Sequence, residues 1–349
     1  MSEYPLEDLI RSWDGEGVLV RFDRPSETWI FVCIHSTQRG PAGGGTRMKT
    51  YVAPADALAD AMRLSAAMTL KMAAVDMPFG GGKAVLAIPA WIGGEERRGL
   101  LLRYADLVAS LRGTFNTGPD VNTSVADMDV IGERCQYVFC RSIERGGSGD
   151  PGPYTARGVF HGIAASVRHV FASDSLEGHV VFVQGVGDVG APLAEQLASA
   201  GAHVLVSDVA AERVRSLADR IGARVIPPEE ALGVECDVYA PCALGGTLSA
   251  ETIPRLRCRI VAGSAKNQRA RLEDAERLRA AGILHAPDFV INAGGVLYAL
   301  GVEHLGWTRD TIEERLAGIG HTLVEIYAGA DAEGSTTQAA AERLARARL

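Results

Sequence analysis

The stretch 179-HVVFVQGVGDVG-190 decides the fold. An apolar run ends in Gly185, Gly187 and Gly190, spaced G-x-G-x-x-G, and a helical pattern over 190–200 follows. The next apolar run, 203-HVLVSD-208, ends in Asp208, 18 residues past Gly190. A glycine triplet of this spacing is weak by itself. Here it follows a strand, opens a helix and has an acid at the end of the next strand, and each part has a physical use. Glycines let the backbone approach a pyrophosphate, the helix N-terminus supplies N–H donors, and the acid accepts from a ribose 2′-OH. Val186, Asp188 and Val189 complete the turn and are candidate cofactor contacts. The carboxylate of Asp208 would repel a 2′-phosphate, which predicts NAD rather than NADP, although Arg213 carries the opposite charge one helical turn onward.

Working outward, strands and helices alternate. A helix over 154–171 precedes the first strand, a helix over 210–221 follows the second, and strands over 224–226, 237–242 and 259–265 come next. Near-continuous apolar strands between helices predict a parallel sheet covered on both faces. Upstream, 145-RGGSGDPGP-153 is a Gly/Pro-rich hinge. Before it lie strands over 17–23, 28–35 and 83–89 and helices over 54–74, 97–113 and 125–136. The fold class is thus α/β with two domains. Residues 1–140 are expected to form a mixed α/β domain, and 141–325 a doubly wound Rossmann NAD domain. A last helix in 326–349 is expected to return to the first domain.

The bulk numbers agree. A chain of 349 residues allows about two domains. The net charge of −8 argues against a nucleic-acid partner. The N-terminal stretch "MSEYPLEDLIRSWD" has no apolar core of a signal peptide, and no apolar run reaches the length of a bilayer span. Six cysteines without a C-x-x-C pair read as free thiols in a reducing cytoplasm, with no metal site.

A second glycine-rich stretch, 77-MPFGGGKAVL-86, raises the question of a second phosphate loop. It fails that pattern, because Met77 stands where the upstream glycine belongs and Ala84 where a hydroxyl belongs. Lys83 also opens a strand rather than a helix. Three further features share this half of the chain. These are the glycine turn 40-GPAGGGTRM-48 with Arg47, Lys71 at the apolar end of a helix, and Asp120 in a loop between two helices. Lysines in apolar settings are costly unless paired or functional, and a buried lysine near positive charge can act as a general base.

These stretches, with "PDVNTSVADMD", "GDPGPYTARGV", "GSAKNQ" and "PDFVINAGGV", resemble the Glu/Leu/Phe/Val (amino acid) dehydrogenase family, in order and over almost the whole chain. The resemblance implies a substrate domain and an NAD domain closing over a cleft. It implies that Lys71 binds the amino acid carboxylate, Lys83 is the acid/base, and Asp120 contacts the amino group. On the cofactor side it implies Arg47, Thr155, Ala243 in "PCALGG", Asn267 and Asn292, with Asn267 also near substrate. The reaction implied is oxidative deamination of an L-amino acid to a 2-oxo acid and ammonia, and its reverse, by a cytoplasmic homo-oligomer, a dimer or an octamer.

Substrate choice is read from the side-chain pocket. Gly43, beside Gly44 and Gly45, stands where leucine-type relatives carry Leu; Gly118 stands for Ala; Ala299, three residues after Val296, stands for Val. All three enlarge the pocket, which predicts an aromatic substrate, phenylalanine first. The alternatives are a leucine or valine dehydrogenase and a catalytically silent NAD-binding regulator. Two departures from the family pattern are Asn122, usually Gly, and Lys266, usually neutral or acidic.

Overall fold

The computed structural model describes residues 6–349. The first five residues, part of the N-terminal stretch read as no signal peptide, lie outside the described residues. The chain folds as two compact units. One holds the residues up to Asp150 with Val302–Leu305 and Ala345–Leu349; the other holds Pro151–Gly301 and Gly306–Leu344. The division thus falls at 150/151, inside the Gly/Pro-rich hinge, and only the last five residues of 326–349 group with the first unit.

The first unit begins with helix α1 (Leu6–Ser12), strands β1 (Gly17–Asp23), β2 (Thr28–Ser36) and β3 (Ala42–Lys49), then helix α2 (Pro54–Ala74). Strand β4 (Gly80–Ala87), helix α3 (Gly94–Ser110), strand β5 (Phe115–Pro119) and helix α4 (Val125–Gly132) complete it. The sheet order is β1-β2-β4-β3-β5, with β3, β4 and β5 parallel and β2 antiparallel to both of its neighbours, β1 and β4. Alternation along β2 and β4 divides two cores. Phe31, Cys33 and Val85 pack on Ala57, Leu58, Ala61 and Met62 of α2. Ile30, Val32, Ala84 and Leu86 pack on Leu100, Tyr104 and Leu107 of α3 and Met128 of α4.

Three expectations are corrected here. "GPAGGGTRM" is no turn but strand β3, and the triplet 80–82 lies inside β4 instead of preceding it. Asp120 does not join two helices; it follows β5. Glycine disfavours strands, so the pattern hid them. The glycines are needed because their neighbours approach closely. A Cβ on Gly81 would fall 2.2 Å from the Thr69 nitrogen of α2, and one on Gly44 would fall 1.8 Å from the Gly82 oxygen.

The second unit runs α5 (Gly152–Phe171), β6 (Val180–Gln184), α6 (Gly190–Ser199), β7 (His203–Ser207), α7 (Ala211–Ile221), β8 (Arg224–Val225), β9 (Val238–Pro241) and β10 (Ile260–Val261). Then come α8 (Asp274–Ala280), β11 (Leu284–His285), α9 (Asp288–Ile291), α10 (Gly294–Glu303), α11 (Arg309–Glu333) and α12 (Thr337–Ala347). All strands are parallel, in the order β11-β10-β9-β6-β7-β8. The chain leaves β6 to build β7 and β8 on one side and β9 to β11 on the other. This is the doubly wound order, with its switch point between β6 and β9. Among the described residues no helix is long and apolar enough to cross a membrane.

The chain end is tied within the first unit. Arg348 donates to the Ala74 carbonyl at the end of α2, and Arg39 donates to the Arg348 carbonyl while pairing with Asp76 at 2.6 Å.

Candidate active site

Register places the chemistry of the first unit on one face. Gly43 pairs with Gly81 and Asn116, Gly45 with Gly118, and Arg47 with Val85. Because side chains alternate, positions 43, 45 and 47 of β3, 81 and 83 of β4, and 118 and 120 at the end of β5 all point to the α2 side. Four of these seven positions are glycine. Among these seven positions the face carries three charged side chains, Arg47, Lys83 and Asp120, set among glycines.

Those three meet. Lys83 Nζ lies 3.1 Å from Asp120 Oδ2, and Arg47 Nε donates to the same oxygen at 2.9 Å. The Lys83 and Asp120 side chains are only 5% and 1% exposed, which makes this a buried ionic cluster rather than a surface pair. Arg47 also pairs with Asp60 of α2 at 2.8 Å, and Asp60 accepts from the Tyr51 hydroxyl at 2.7 Å and from Arg63 at 2.7 Å. Burial would pull the Arg47 guanidinium down, but the carboxylates of Asp120 and Asp60 outweigh it and hold it above its ordinary value. Burial likewise raises the Asp60 carboxyl, and the Tyr51 hydroxyl, Arg47 and Arg63 more than offset this and hold it low. The backbone around Asp120 is fixed from below. Its N–H donates to Thr123 Oγ1 at 2.8 Å, and that hydroxyl donates to the Thr46 carbonyl at 2.8 Å. Lys71 sits half-buried in the last turn of α2.

Arg47, expected at the cofactor, pairs within the first unit with the two aspartates. Asp60 carries no sequence signal, since it is one of two aspartates on an amphipathic helix. The departure at Asn122 has a backbone cause. Its φ of +59° is left-handed, a conformation that glycine adopts freely and asparagine tolerates. Its amide donates to the Met48 carbonyl at 3.0 Å.

The expected pocket enlargement at Gly118 is also corrected. A Cβ at 118 would lie 2.2 Å from Phe139 Cε2, so the room that glycine vacates is filled by that ring. Ala299 is fully buried in α10, and Val296, one turn earlier, is partly buried.

In the second unit the glycine turn has the form a dinucleotide needs. Gly185 has a φ of +96°, and a Cβ on Gly190 would fall 1.8 Å from the Gly185 oxygen, so the turn closes tightly onto the start of α6. Nothing lies within 4 Å of where a Gly187 Cβ would be, which leaves backbone open to a pyrophosphate at the helix N-terminus. Val186, Asp188 and Val189 lie in this same turn. Asp208 accepts from the Val186 and Ala210 N–H groups, both at 2.8 Å, and keeps lone pairs for ribose hydroxyls. Ala243 abuts Gly185 at the end of β9, and the Gly246 N–H donates to the Asn267 carbonyl at 2.7 Å. Asn292 donates to the Ser264 carbonyl at 3.2 Å, while Lys266 is exposed. Thr155, in the first turn of α5, donates to the Pro151 carbonyl at 3.1 Å. The loops after β6, β7, β9 and β10 thus gather at the carboxyl ends of the strands, the place and donor set that fit NAD.

Residues 28–137 match the profile of the Glu/Leu/Phe/Val dehydrogenase dimerisation domain, and residues 206–349 that of the Glutamate/Leucine/Phenylalanine/Valine dehydrogenase domain. The chain is 39% identical to a leucine dehydrogenase of Geobacillus stearothermophilus, over 97% of this chain and 92% of that one. It is 42% identical to a valine dehydrogenase of Streptomyces albus, over 99% and 95%. Its fold matches the crystal structure of an L-tryptophan dehydrogenase from Nostoc punctiforme with a TM-score of 0.85 and 37% identity, covering 98% of both chains. With the paired lysine and aspartate on one glycine-cleared face and an NAD turn in the second unit, these likenesses lead to one conclusion: the chain belongs to the Glu/Leu/Phe/Val dehydrogenase family, NAD-dependent oxidoreductases that act on the CH–NH2 group of amino acids.

Proposed function

We propose that the protein oxidatively deaminates a branched-chain aliphatic L-amino acid, leucine or valine, to its 2-oxo acid and ammonia, and runs the reverse reductive amination. The observation that carries the chemistry is the buried Lys83–Asp120 contact of 3.1 Å on the glycine floor. The substrate class rests on the relatives named leucine and valine dehydrogenases, at 39–42% identity over nearly the whole chain. They favour the aliphatic reading over the phenylalanine expectation.

When bound, NAD supplies the hydride acceptor for the substrate Cα. Lys71 holds the substrate carboxylate. Asp120 takes a proton from the substrate ammonium, so that the Cα–H electron pair can leave and an imino acid results. Lys83 then takes a proton from water as its oxygen adds to the imino carbon. Lys83 returns that proton to nitrogen and then takes the hydroxyl proton as the C–N bond breaks, which releases ammonia and the 2-oxo acid. Arg47, which donates to the same Asp120 oxygen at 2.9 Å, holds the aspartate in its orientation while Lys83 changes charge.

A second reading, an aromatic substrate, draws on the 37% identity to the L-tryptophan dehydrogenase and on the missing side chain at Gly43. A substrate panel followed at 340 nm separates the two. Leucine or valine should give the highest kcat/KM. Phenylalanine or tryptophan exceeding both by about tenfold would replace the proposal with the second reading.

The active protein is also proposed to be a homo-oligomer in the cytoplasm. Edge strand β1 and its neighbour β2 expose Val20, Phe22 and Trp29, which suits pairing with a second copy. Light scattering that shows only monomer at assay concentration would remove the oligomer.

A further inference from the structure

Phe139 belongs to the catalytic face, although it lies beyond β5 and its motif. The segment 137–139 runs beside β5 as a short extra strand. The Thr117 N–H donates to the Tyr137 carbonyl at 3.0 Å, the Phe139 N–H donates to the Thr117 carbonyl at 2.9 Å, and Thr117 and Val138 form a parallel bridge. Val138 packs into the core on the α3 and α4 side. Alternation then sends the next residue, Phe139, to the opposite face, which is the side of Gly118, Asp120 and Lys83. The contact agrees. Three ring atoms of Phe139 lie 2.2, 2.5 and 2.7 Å from where a Cβ on Gly118 would sit, and the ring is 6% exposed. Gly118 is two residues before Asp120 and shares its direction. The ring therefore stands on the same floor as the proposed acid/base pair, in the volume that the glycine leaves open.

We infer that Phe139 is a specificity-determining residue, a ring that takes back the space vacated at Gly118 and limits the pocket to branched aliphatic side chains. Glycine at 118 and a large ring at 139 form one unit. Either residue taken alone misreports the pocket, and glycine taken alone suggests an aromatic substrate. This inference rests on the aliphatic reading above.

The test compares kcat/KM for leucine, valine, phenylalanine and tryptophan in the native protein and in Phe139→Ala. Removing the ring should raise the phenylalanine-to-leucine ratio of kcat/KM by about tenfold or more. A general loss of stability would lower all four substrates together and leave the ratio unmoved, so the ratio isolates pocket shape. If Phe139→Ala does not fold, Phe139→Leu, which retains apolar bulk without the ring, should move the ratio in the same direction. The back-substitution Gly118→Ala in the Phe139→Ala background should return the ratio toward the native value, because the methyl re-enters the freed space. A phenylalanine-to-leucine ratio that stays within about twofold in the folding variant overturns the inference. The aliphatic reading fails separately, on the native protein alone, if phenylalanine or tryptophan is already its best substrate.

Discussion

The two glycine-rich regions of this protein use the same residue in opposite ways. In the first unit Gly44, Gly81 and Gly118 lie in strands, and the atoms a side chain would displace are already there: a neighbouring carbonyl, the backbone of α2, the ring of Phe139. In the second unit Gly187 has open space where its side chain would be. The first set allows protein to approach protein and leaves a floor on which Lys83 and Asp120 can meet. The second set leaves room for something other than protein. Glycine content alone does not distinguish these uses; the occupancy of the missing Cβ does.

The largest test of this division separates chemistry from cofactor. Lys83→Ala should lower kcat for amino acid oxidation by about 10²–10⁴-fold. NADH binding, followed by fluorescence, should stay within about twofold of native. Loss of NADH binding instead would return the GGGK stretch to the phosphate-loop reading.

Next come the glycines themselves. Gly81→Ala should cost about 1–3 kcal/mol in urea melts, because α2 must move off the sheet. Gly187→Ala should keep stability within about 0.5 kcal/mol yet weaken NADH binding. If the two substitutions had the same profile, the contrast between the regions would collapse.

Asp208→Ala should raise the NADP-to-NAD ratio of kcat/KM by about tenfold, since a repulsive carboxylate is removed. An unchanged ratio would mean that Arg213 and not Asp208 sets cofactor choice. The smallest effect is expected at Asn122→Gly, within about 1 kcal/mol by thermal melting. Glycine relieves the left-handed backbone while losing the hydrogen bond to Met48.

Much of the second unit was legible in the sequence. The strand, the glycine turn, helix α6 and the acid closing β7 lie within a few dozen residues, and their pattern is local. Helix α2 was also legible end to end, because proline at its start and apolar spacing mark it without help from the rest of the fold. Strands β3 and β5 were not, since "AGGGTRMK" and "FNTGP" have little strand propensity and are strands only because partners on both sides approach them. Nothing near Arg47 in sequence names its ion-pair partners. Asp60 is 13 residues away and Asp120 is 73.

The sequence by itself determined the α/β class, the NAD turn at Gly185 to Gly190, and Lys83 and Asp120 as the residues to watch, because these depend on short-range order. Only the tertiary structure decided which groups share a face. Strand register set 43, 45, 47, 81, 83, 118 and 120 on one side of the sheet and brought Phe139 over Gly118. Register is fixed by packing between segments far apart in the chain, and a one-residue shift would turn every one of those side chains to the other face.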